Sequence, residues 1–200
     1  MTTKTWATLL AAVALIVLAA VALGCGGNDD SSGAAGNETD AAFITDMTAH
    51  HGGAIEMARV AQKHAEHSEI RDLADDIIAA QESEISAMKT IRRETHDMAE
   101  HGGGHMGMSE ADMGMEMDPA ELEDAKPFDR AFIDAMVPHH EGAIAMAKQL
   151  LKSGDQPALR KMAQEIIDAQ TKEIAKMREW RKAWYGSAGT GGHEAMRGEG

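Results

Sequence analysis

The chain contains one sequence pattern twice, and the second copy begins 89 residues after the first. Residues 43–58 read FITDMTAHHGGAIEMA, and residues 132–147 read FIDAMVPHHEGAIAMA. The register holds without a gap from the pair 42/131 to the pair 93/182, and 22 of these 52 aligned pairs are identical. Self-similarity at a fixed spacing predicts two copies of one structural unit.

Apolar residues recur within each copy at the period of an α-helix, and the retained positions lie within about 160° of arc. In the first half of the repeat they are Phe43, Ile44, Met47, His50, His51, Ala54, Ile55, Met57 and Ala58. In the second half they are Ile70, Ala74, Ile77, Ile78, Gln81, Glu84, Ile85 and Met88. Each copy is therefore predicted to be a hairpin of two helices, with turns near 67–68 and 153–157. Two antiparallel hairpins make an all-α four-helix bundle.

Histidine and methionine are retained on the predicted buried face of both copies. The candidate metal ligands are Met47, His50, His51 and Met57 in the first copy and Met136, His139, His140 and Met146 in the second. Met47 lies three and four residues before His50 and His51, so these side chains can converge on one spot. Imidazole and thioether together suit copper, and thioether selects Cu(I) over harder ions. Copper is therefore the predicted metal.

Four polar side chains interrupt the apolar face of the second helix in each hairpin. They are Gln81, Glu84, Gln170 and Glu173. A buried carboxylate or amide needs a hydrogen-bond partner, and we expect that partner to be a histidine ring N–H on the facing helix. A ligating histidine usually has such a partner, although the same contact would also satisfy a histidine that is merely part of the core.

The N-terminus is predicted to direct export. In residues 1–24, Lys4 precedes an almost unbroken apolar run from Ala7 to Leu23, as in a secretory signal. The segment Ala22-Leu23-Gly24-Cys25 resembles a lipoprotein lipobox, with alanine where leucine is usual. Cys25 is the single cysteine of the chain, and we predict that it is lipidated. An uncleaved signal anchor is the alternative, and either form tethers the domain to a membrane outside the cytoplasm.

Composition excludes several other functions. Residues 25–40 are small and polar without periodicity and are predicted to be a flexible tether. Without the signal segment, 18 basic residues face 33 acidic ones, a net charge of −15, which argues against nucleic-acid binding. The chain lacks a Gly-x-Ser-x-Gly elbow and has no cysteine available as a nucleophile, so no enzyme activity is predicted.

A linker rich in methionine, histidine and glycine, residues 96–126, separates the hairpins at 41–95 and 127–185. Its candidate secondary ligands are His101, His105, Met106, Met108, Met113, Met115 and Met117. Because thioethers favour Cu(I), we predict a separate loop site for Cu(I) or Ag(I), in a loop that three consecutive glycines, 102–104, keep from packing. The alternative is a low-complexity loop whose methionines lie on the bundle. Residues 186–200 are predicted to be a disordered tail.

Two motifs of this chain resemble those of the DUF305 family. The first is Met-x-x-His-His-x-x-Ala-x-x-Met-Ala, which begins at Met47 and again at Met136. The second is Gln-x-x-Glu-Ile-x-x-Met, which begins at Gln81 and Gln170 and is similar to the family's second helix. The resemblance covers nearly all of residues 41–185. It implies a ferritin-like four-helix bundle, an exported copper-binding protein that helps cells tolerate copper, and the same eight methionine and histidine ligands.

One function is favoured by these observations, and two alternatives are compared with it. The favoured one is a non-enzymatic copper-binding protein of the cell envelope that sequesters or traffics copper, or confers tolerance to it, with copper donor or acceptor proteins as partners. The second is a metal-free interaction domain with core histidines. The third, a ferritin-like di-iron oxidase, requires Glu-x-x-His pairs, which the chain lacks, and Glu56 is replaced by Ala145 in the second copy. The sequence does not predict an oligomeric state.

Overall fold

The computed structural model of the protein describes residues 36–95 and 104–187. The described residues form four long helices and one short helix and contain no β-strand: α1 Glu38–His64, α2 Ser68–Glu94, α3 Pro119–Asp124, α4 Phe128–Ser153 and α5 Pro157–Tyr185. Helix α1 packs along α2, α4 packs along α5, and α1 packs against α4. The predicted all-α, ferritin-like four-helix bundle of two duplicated hairpins is confirmed.

Contacts at both ends of the bundle show that α1 and α4 run antiparallel. At one end the Asn37 side chain, just before α1, donates a hydrogen bond to the carbonyl of Ser153 at the end of α4. At the other end the backbone N–H of Glu66, just after α1, donates to Asp129 in the first turn of α4. The equivalent first helices of the two hairpins therefore pack against each other in opposite directions.

Helix α1 begins earlier than the sequence reading placed it, within the segment assigned to the tether. Asn37 accepts a hydrogen bond from the Asp40 backbone N–H at 3.0 Å, and the Asp40 carboxylate accepts one from the Asn37 backbone N–H at 2.9 Å. This reciprocal capping box satisfies two N–H groups at the helix start. It therefore extends the first hairpin to Glu38, three residues before the expected boundary.

Two buried aspartates tie the turn of each hairpin to the other hairpin. Asp129 accepts hydrogen bonds from the backbone N–H groups of residues 66 and 67 at 2.9 and 2.8 Å. Asp40, its counterpart 89 residues earlier, accepts from those of residues 155 and 156 at 3.0 and 3.2 Å. Both aspartates are fully buried. The two hairpins thus hold each other's turns through equivalent contacts.

The core divides into two apolar clusters, one toward each end of the bundle. The Phe128 cluster includes Met57, Met136, Met177, Leu122 and Phe132. The Phe43 cluster includes Met47, Met88, Met106, Met146 and Ile166. Along both α1 and α4, the paired histidines fall between the methionine of one cluster and the methionine of the other. The centre of the bundle is therefore polar, with thioethers on either side.

Several predicted features lie outside the described residues. They are the signal segment with Cys25, most of the tether, His101, and the tail beyond residue 187. Among the helices that the structure does describe, none combines the length and the apolar character needed to cross a membrane.

Candidate metal centre

All eight side chains proposed as bundle ligands face the interior, as their periodicity predicted. They are Met47, His50, His51, Met57, Met136, His139, His140 and Met146, and none is more than 2% exposed. Burial of four imidazoles in a small bundle is unusual, because histidine is mostly found at intermediate exposure. The contacts of the four rings therefore decide what this centre can do.

His50 of α1 and His139 of α4 meet where the two helices cross. Their ring centroids are 3.7 Å apart and the ring planes are tilted by 35°. Because the two residues occupy equivalent positions in the repeat, their contact lies at the approximate twofold axis that relates the hairpins. The histidine pair is thus shared by both halves of the molecule.

The other two histidines each bind a glutamate of their own hairpin. His51 Nε2 lies 2.7 Å from Glu84 Oε2, and His140 Nε2 lies 2.7 Å from Glu173 Oε2. Both imidazoles are fully buried, whereas the glutamates are about one-fifth to one-quarter exposed. The structure therefore places the two glutamates where the sequence predicted.

The two glutamines on the same face are placed differently. Gln81 and Gln170 are buried, but their Oε1 atoms meet no hydrogen-bond donor among the described residues. The expected hydrogen bonds from histidine ring N–H groups to these amide oxygens are therefore not formed. The glutamates alone orient His51 and His140.

Hydrogen bonds fix which ring nitrogen carries the proton. The Met113 carbonyl can only accept, so His50 Nε2, 2.9 Å away, donates to it. The Nε2 atoms of His51 and His140 donate in the same way to glutamate oxygens 2.7 Å away. In the neutral ring, Nδ1 then carries the lone pair, and all three Nδ1 atoms are buried without a partner among the described residues. This is the state in which a histidine binds a metal.

Burial keeps the central pair uncharged. Desolvation lowers the pKa of His50 from 6.5 to about 4, against the raising effect of its hydrogen bond to Met113. Desolvation also lowers the pKa of His139 well below its usual value, and the nearby His50 adds to this effect. Both ring nitrogens of His139 are buried without partners among the described residues. At neutral pH the pair is neutral, so no proton has to leave before a cation binds.

The eight proposed ligands do not converge on one point. Met47 and Met146 belong to the Phe43 cluster, whereas Met57 and Met136 belong to the Phe128 cluster. Among the described residues, no three histidine, cysteine, aspartate or glutamate side chains form a group that could hold a metal ion. A cation at this centre would need thioether donors in addition to imidazole, and that donor set favours Cu(I) over Zn²⁺ or iron.

The described part of the linker packs on the bundle, contrary to the prediction of an unpacked loop. Met106 is buried in the Phe43 cluster, and Met108 and Met113 pack against it while partly exposed. Met115 is also partly exposed, and Met117 is 37% exposed. In the described residues 104–118, the loop that was predicted to carry a separate site therefore lies against the bundle.

Two side chains that the sequence reading overlooked anchor this linker. Asp46 of α1 accepts from the Met106 backbone N–H at 2.6 Å and lies 2.6 Å from His105 Nδ1. Gln149 of α4 donates to the Met106 carbonyl at 3.0 Å. At the equivalent positions of the other copy, Ala135 stands in place of Asp46 and Val60 in place of Gln149. In the sequence, these two anchoring residues are therefore marked by a difference between the copies and not by a similarity.

Close backbone packing brings the linker onto the histidine pair. A Cβ added at Gly142 would lie 2.1 Å from the Met113 carbonyl oxygen, and one at Gly114, where φ is +66°, would lie 2.3 Å from the Pro138 carbonyl oxygen. The linker backbone at residues 113–114 can approach α4 this closely only because residue 114 of the linker and residue 142 of α4 are both glycine. The linker therefore covers the crossing of α1 and α4.

A matched pair of alanine variants tests this packing. We expect Gly142→Ala to destabilise the protein by about 1–3 kcal/mol, because the added methyl group overlaps the Met113 backbone. The equivalent Gly53→Ala places its Cβ 3.4 Å from His139 Nε2, an ordinary contact, and should be neutral or stabilising by about 0.5–1 kcal/mol. Urea denaturation measures both. Equal effects from the two variants would contradict the observed docking of the linker.

The fold and this centre define a class of small helical bundles in which two hairpins share a buried histidine pair. The chain belongs to the DUF305 family, because the family model, described as a domain of unknown function, matches residues 40–181. A search of curated proteins found none that matches.

Solved structures resemble this chain over most of their length. CopM in the Cu(I)-bound form is 38% identical with a TM-score of 0.63, covering 73% of this chain and 97% of CopM. CopM in a silver-bound form is 36% identical with a TM-score of 0.61, covering 73% and 96%. A DUF305 protein from Streptomyces coelicolor is 26% identical with a TM-score of 0.65, covering 78% and 97%.

Proposed function

We propose that this protein binds copper, with Cu(I) favoured, and acts as a binding protein without catalysing a reaction. The observation that carries the proposal is the buried His50–His139 pair, whose neutral imidazoles present unpartnered nitrogens between two groups of thioethers. The similarity to CopM, which has been solved with Cu(I), Cu(II) and silver bound, supports it.

The donor set matches a soft, low-charge cation. A buried dication would have to lose its hydration shell at a centre without a full set of anionic ligands, which is unfavourable. Cu(I) carries one charge and accepts neutral thioether and imidazole donors. His50 and His139 would supply the imidazoles, and methionines of the adjacent clusters would supply the sulfur. Glu84 and Glu173 would orient the neighbouring histidines.

Substitution of the central pair tests this assignment. The double variant His50→Leu/His139→Leu should lose at least about 100-fold in Cu(I) affinity, because both shared imidazoles are removed. The measurement is a competition titration against a chromophoric Cu(I) chelator. The matched control is His64→Leu, a partly exposed α1 histidine paired with Glu123 outside the centre, which should bind copper as the wild type does. Unchanged affinity in the double variant would overturn the assignment.

We further propose that the protein works outside the cytoplasm, lipidated at Cys25, where it sequesters copper or passes it to donor and acceptor proteins. The apolar segment 7–23 and the cysteine that follows it support this location. Labelling of cells with a fatty-acid analogue, followed by fractionation of wild type and Cys25→Ser, tests the anchor. The variant should lose the label and leave the membrane fraction. Retention of the label by the variant would contradict lipidation at this residue.

A metal-free interaction domain is the second candidate. It is favoured by the hydrogen bonds of His51 and His140 to glutamates, which would also suit core histidines. The two functions differ in one measurable property, because a ligand that binds only the folded state raises its melting temperature. Cu(I) or Ag(I) should raise the melting temperature of a copper-binding protein and leave that of a metal-free interaction domain unchanged.

A further inference from the structure

The two apolar clusters of the bundle differ in the number of methionine side chains that they contain. From the linker, the Phe128 cluster receives Leu122, whereas the Phe43 cluster receives Met106, with Met108 and Met113 packed against it. Met106 is buried in the Phe43 cluster together with Met47 and Met146, and Met113 packs against the same cluster. The retained methionines are symmetric in the repeat, but the total thioether content around the histidine pair is not.

We propose that residues 104–118 are part of the copper centre and that Met106 and Met113 bind the same Cu(I) or Ag(I) ion as Met47 and Met146. The proposal rests on the copper-binding function above and locates the first ion at the Phe43 side of the histidine pair. It replaces the separate loop site that the sequence suggested with one site shared by linker and bundle.

The anchoring contacts explain why only one side is built this way. Asp46 binds the Met106 N–H and Gln149 binds its carbonyl, so the backbone of Met106 is held from both α1 and α4. The equivalent positions, Ala135 and Val60, offer neither an acceptor nor a donor side chain. These two anchors are thus present on one side of the bundle, where Met106 lies in the Phe43 cluster.

The backbone of Met113 adds a direct link to the imidazoles. Its carbonyl accepts the Nε2 proton of His50, and this leaves the lone pair on His50 Nδ1. The contact of Met113 with α4 at Gly142 places the linker over His139 as well. One linker residue thus sets the tautomer of a central histidine and packs its thioether against the cluster that holds Met47 and Met146.

Ag(I) titration followed by NMR of ¹³C-labelled methionine methyl groups tests the shared site, because Ag(I) is a soft cation that does not change oxidation state under these conditions. With the full chain, we expect the methyl signals of Met47, Met106, Met113 and Met146 to shift together during the first equivalent. The methyl signals of Met57 and Met136 should not shift in that step. Linker methionines that respond later than Met47 and Met146, or not at all, would overturn the proposal.

Competition titrations with Ag(I) provide the second readout. Met106→Leu/Met113→Leu removes two sulfurs and keeps apolar side chains, and should weaken the tightest site at least about tenfold. Asp46→Ala keeps every sulfur but removes the acceptor of the Met106 N–H. This variant should also lower the Ag(I) affinity of the tightest site. The control Met177→Leu removes a sulfur from the Phe128 cluster at a buried position that is not a candidate ligand, and it should leave the tightest site unchanged.

The outcomes separate this proposal from the function on which it rests. If the linker variants bind as the wild type does while His50→Leu/His139→Leu loses affinity, the shared site is wrong and copper binding by the bundle stands. If the histidine double variant also binds as the wild type does, the proposed function itself fails.

Discussion

Acidifying the metal-free protein from pH 7 to pH 4 should lower its free energy of unfolding by on the order of 3 kcal/mol through His50 alone. The pKa of His50 is about 4 in the folded state against 6.5 as its ordinary value. Because the folded-state pKa is depressed, the unfolded chain takes up the proton first. Stability is therefore complete above pH 6.5 and falls as the pH drops toward 4. His139 acts in the same direction, since burial also lowers its pKa.

Urea denaturation at several pH values between 7 and 4 measures this loss. The matched comparison is His50→Leu/His139→Leu, which keeps every carboxylate of the protein. Acid protonation of carboxylates then affects both proteins equally, and the difference between them isolates the histidine pair. We expect the difference in stability between wild type and variant to change steeply across this range. Parallel pH curves would contradict the burial of uncharged imidazoles at the centre.

Replacing Asp129 with alanine should destabilise the protein by about 2–4 kcal/mol, because removal of a buried acceptor leaves its donors unsatisfied. The Asp129 carboxylate accepts from the backbone N–H groups of residues 66 and 67, and its Oδ2 lies 2.6 Å from His67 Nδ1. These donors form the turn between α1 and α2. Without the carboxylate, that turn loses its tie to the second hairpin.

The repeat supplies a second variant and a control for this effect. Asp40→Ala removes the equivalent tie at the other end of the bundle and should have a similar cost, increased by the loss of its capping box with Asn37. Asp72→Ala, at an exposed position of α2, should change stability by less than about 0.5 kcal/mol. Denaturant titration compares the three. A change in Asp129→Ala as small as that in Asp72→Ala would show that the turns hold without the aspartates.

The fold was predictable because its signal is repeated and local. Helical periodicity in both copies turns His50 and His139 inward, and the structure confirms that orientation. The pairing of Glu84 with His51 could also be anticipated, because a carboxylate on an apolar helix face needs a donor opposite it. Which histidine of each pair meets its counterpart could not be read from the sequence, since it depends on how α1 and α4 cross.

Contacts between distant segments were missed for two different reasons. Asp40 and Asp129 are identical in the two copies but lie just before the stretch in which the repeat was compared, so extending the comparison would have found them. Asp46 and Gln149 differ from their counterparts, and a search for retained residues discards such positions. Asymmetric docking of a linker onto a symmetric bundle has to be encoded where the copies diverge.

X-ray absorption spectroscopy at the copper edge tests most directly whether the histidine pair binds copper. The protein loaded with one equivalent of Cu(I) should show a first coordination shell that contains both nitrogen and sulfur scatterers. In His50→Leu/His139→Leu loaded in the same way, the imidazole nitrogen contribution should disappear. A wild-type shell without imidazole nitrogen, or a nitrogen contribution unchanged in the double variant, would contradict copper binding at this centre.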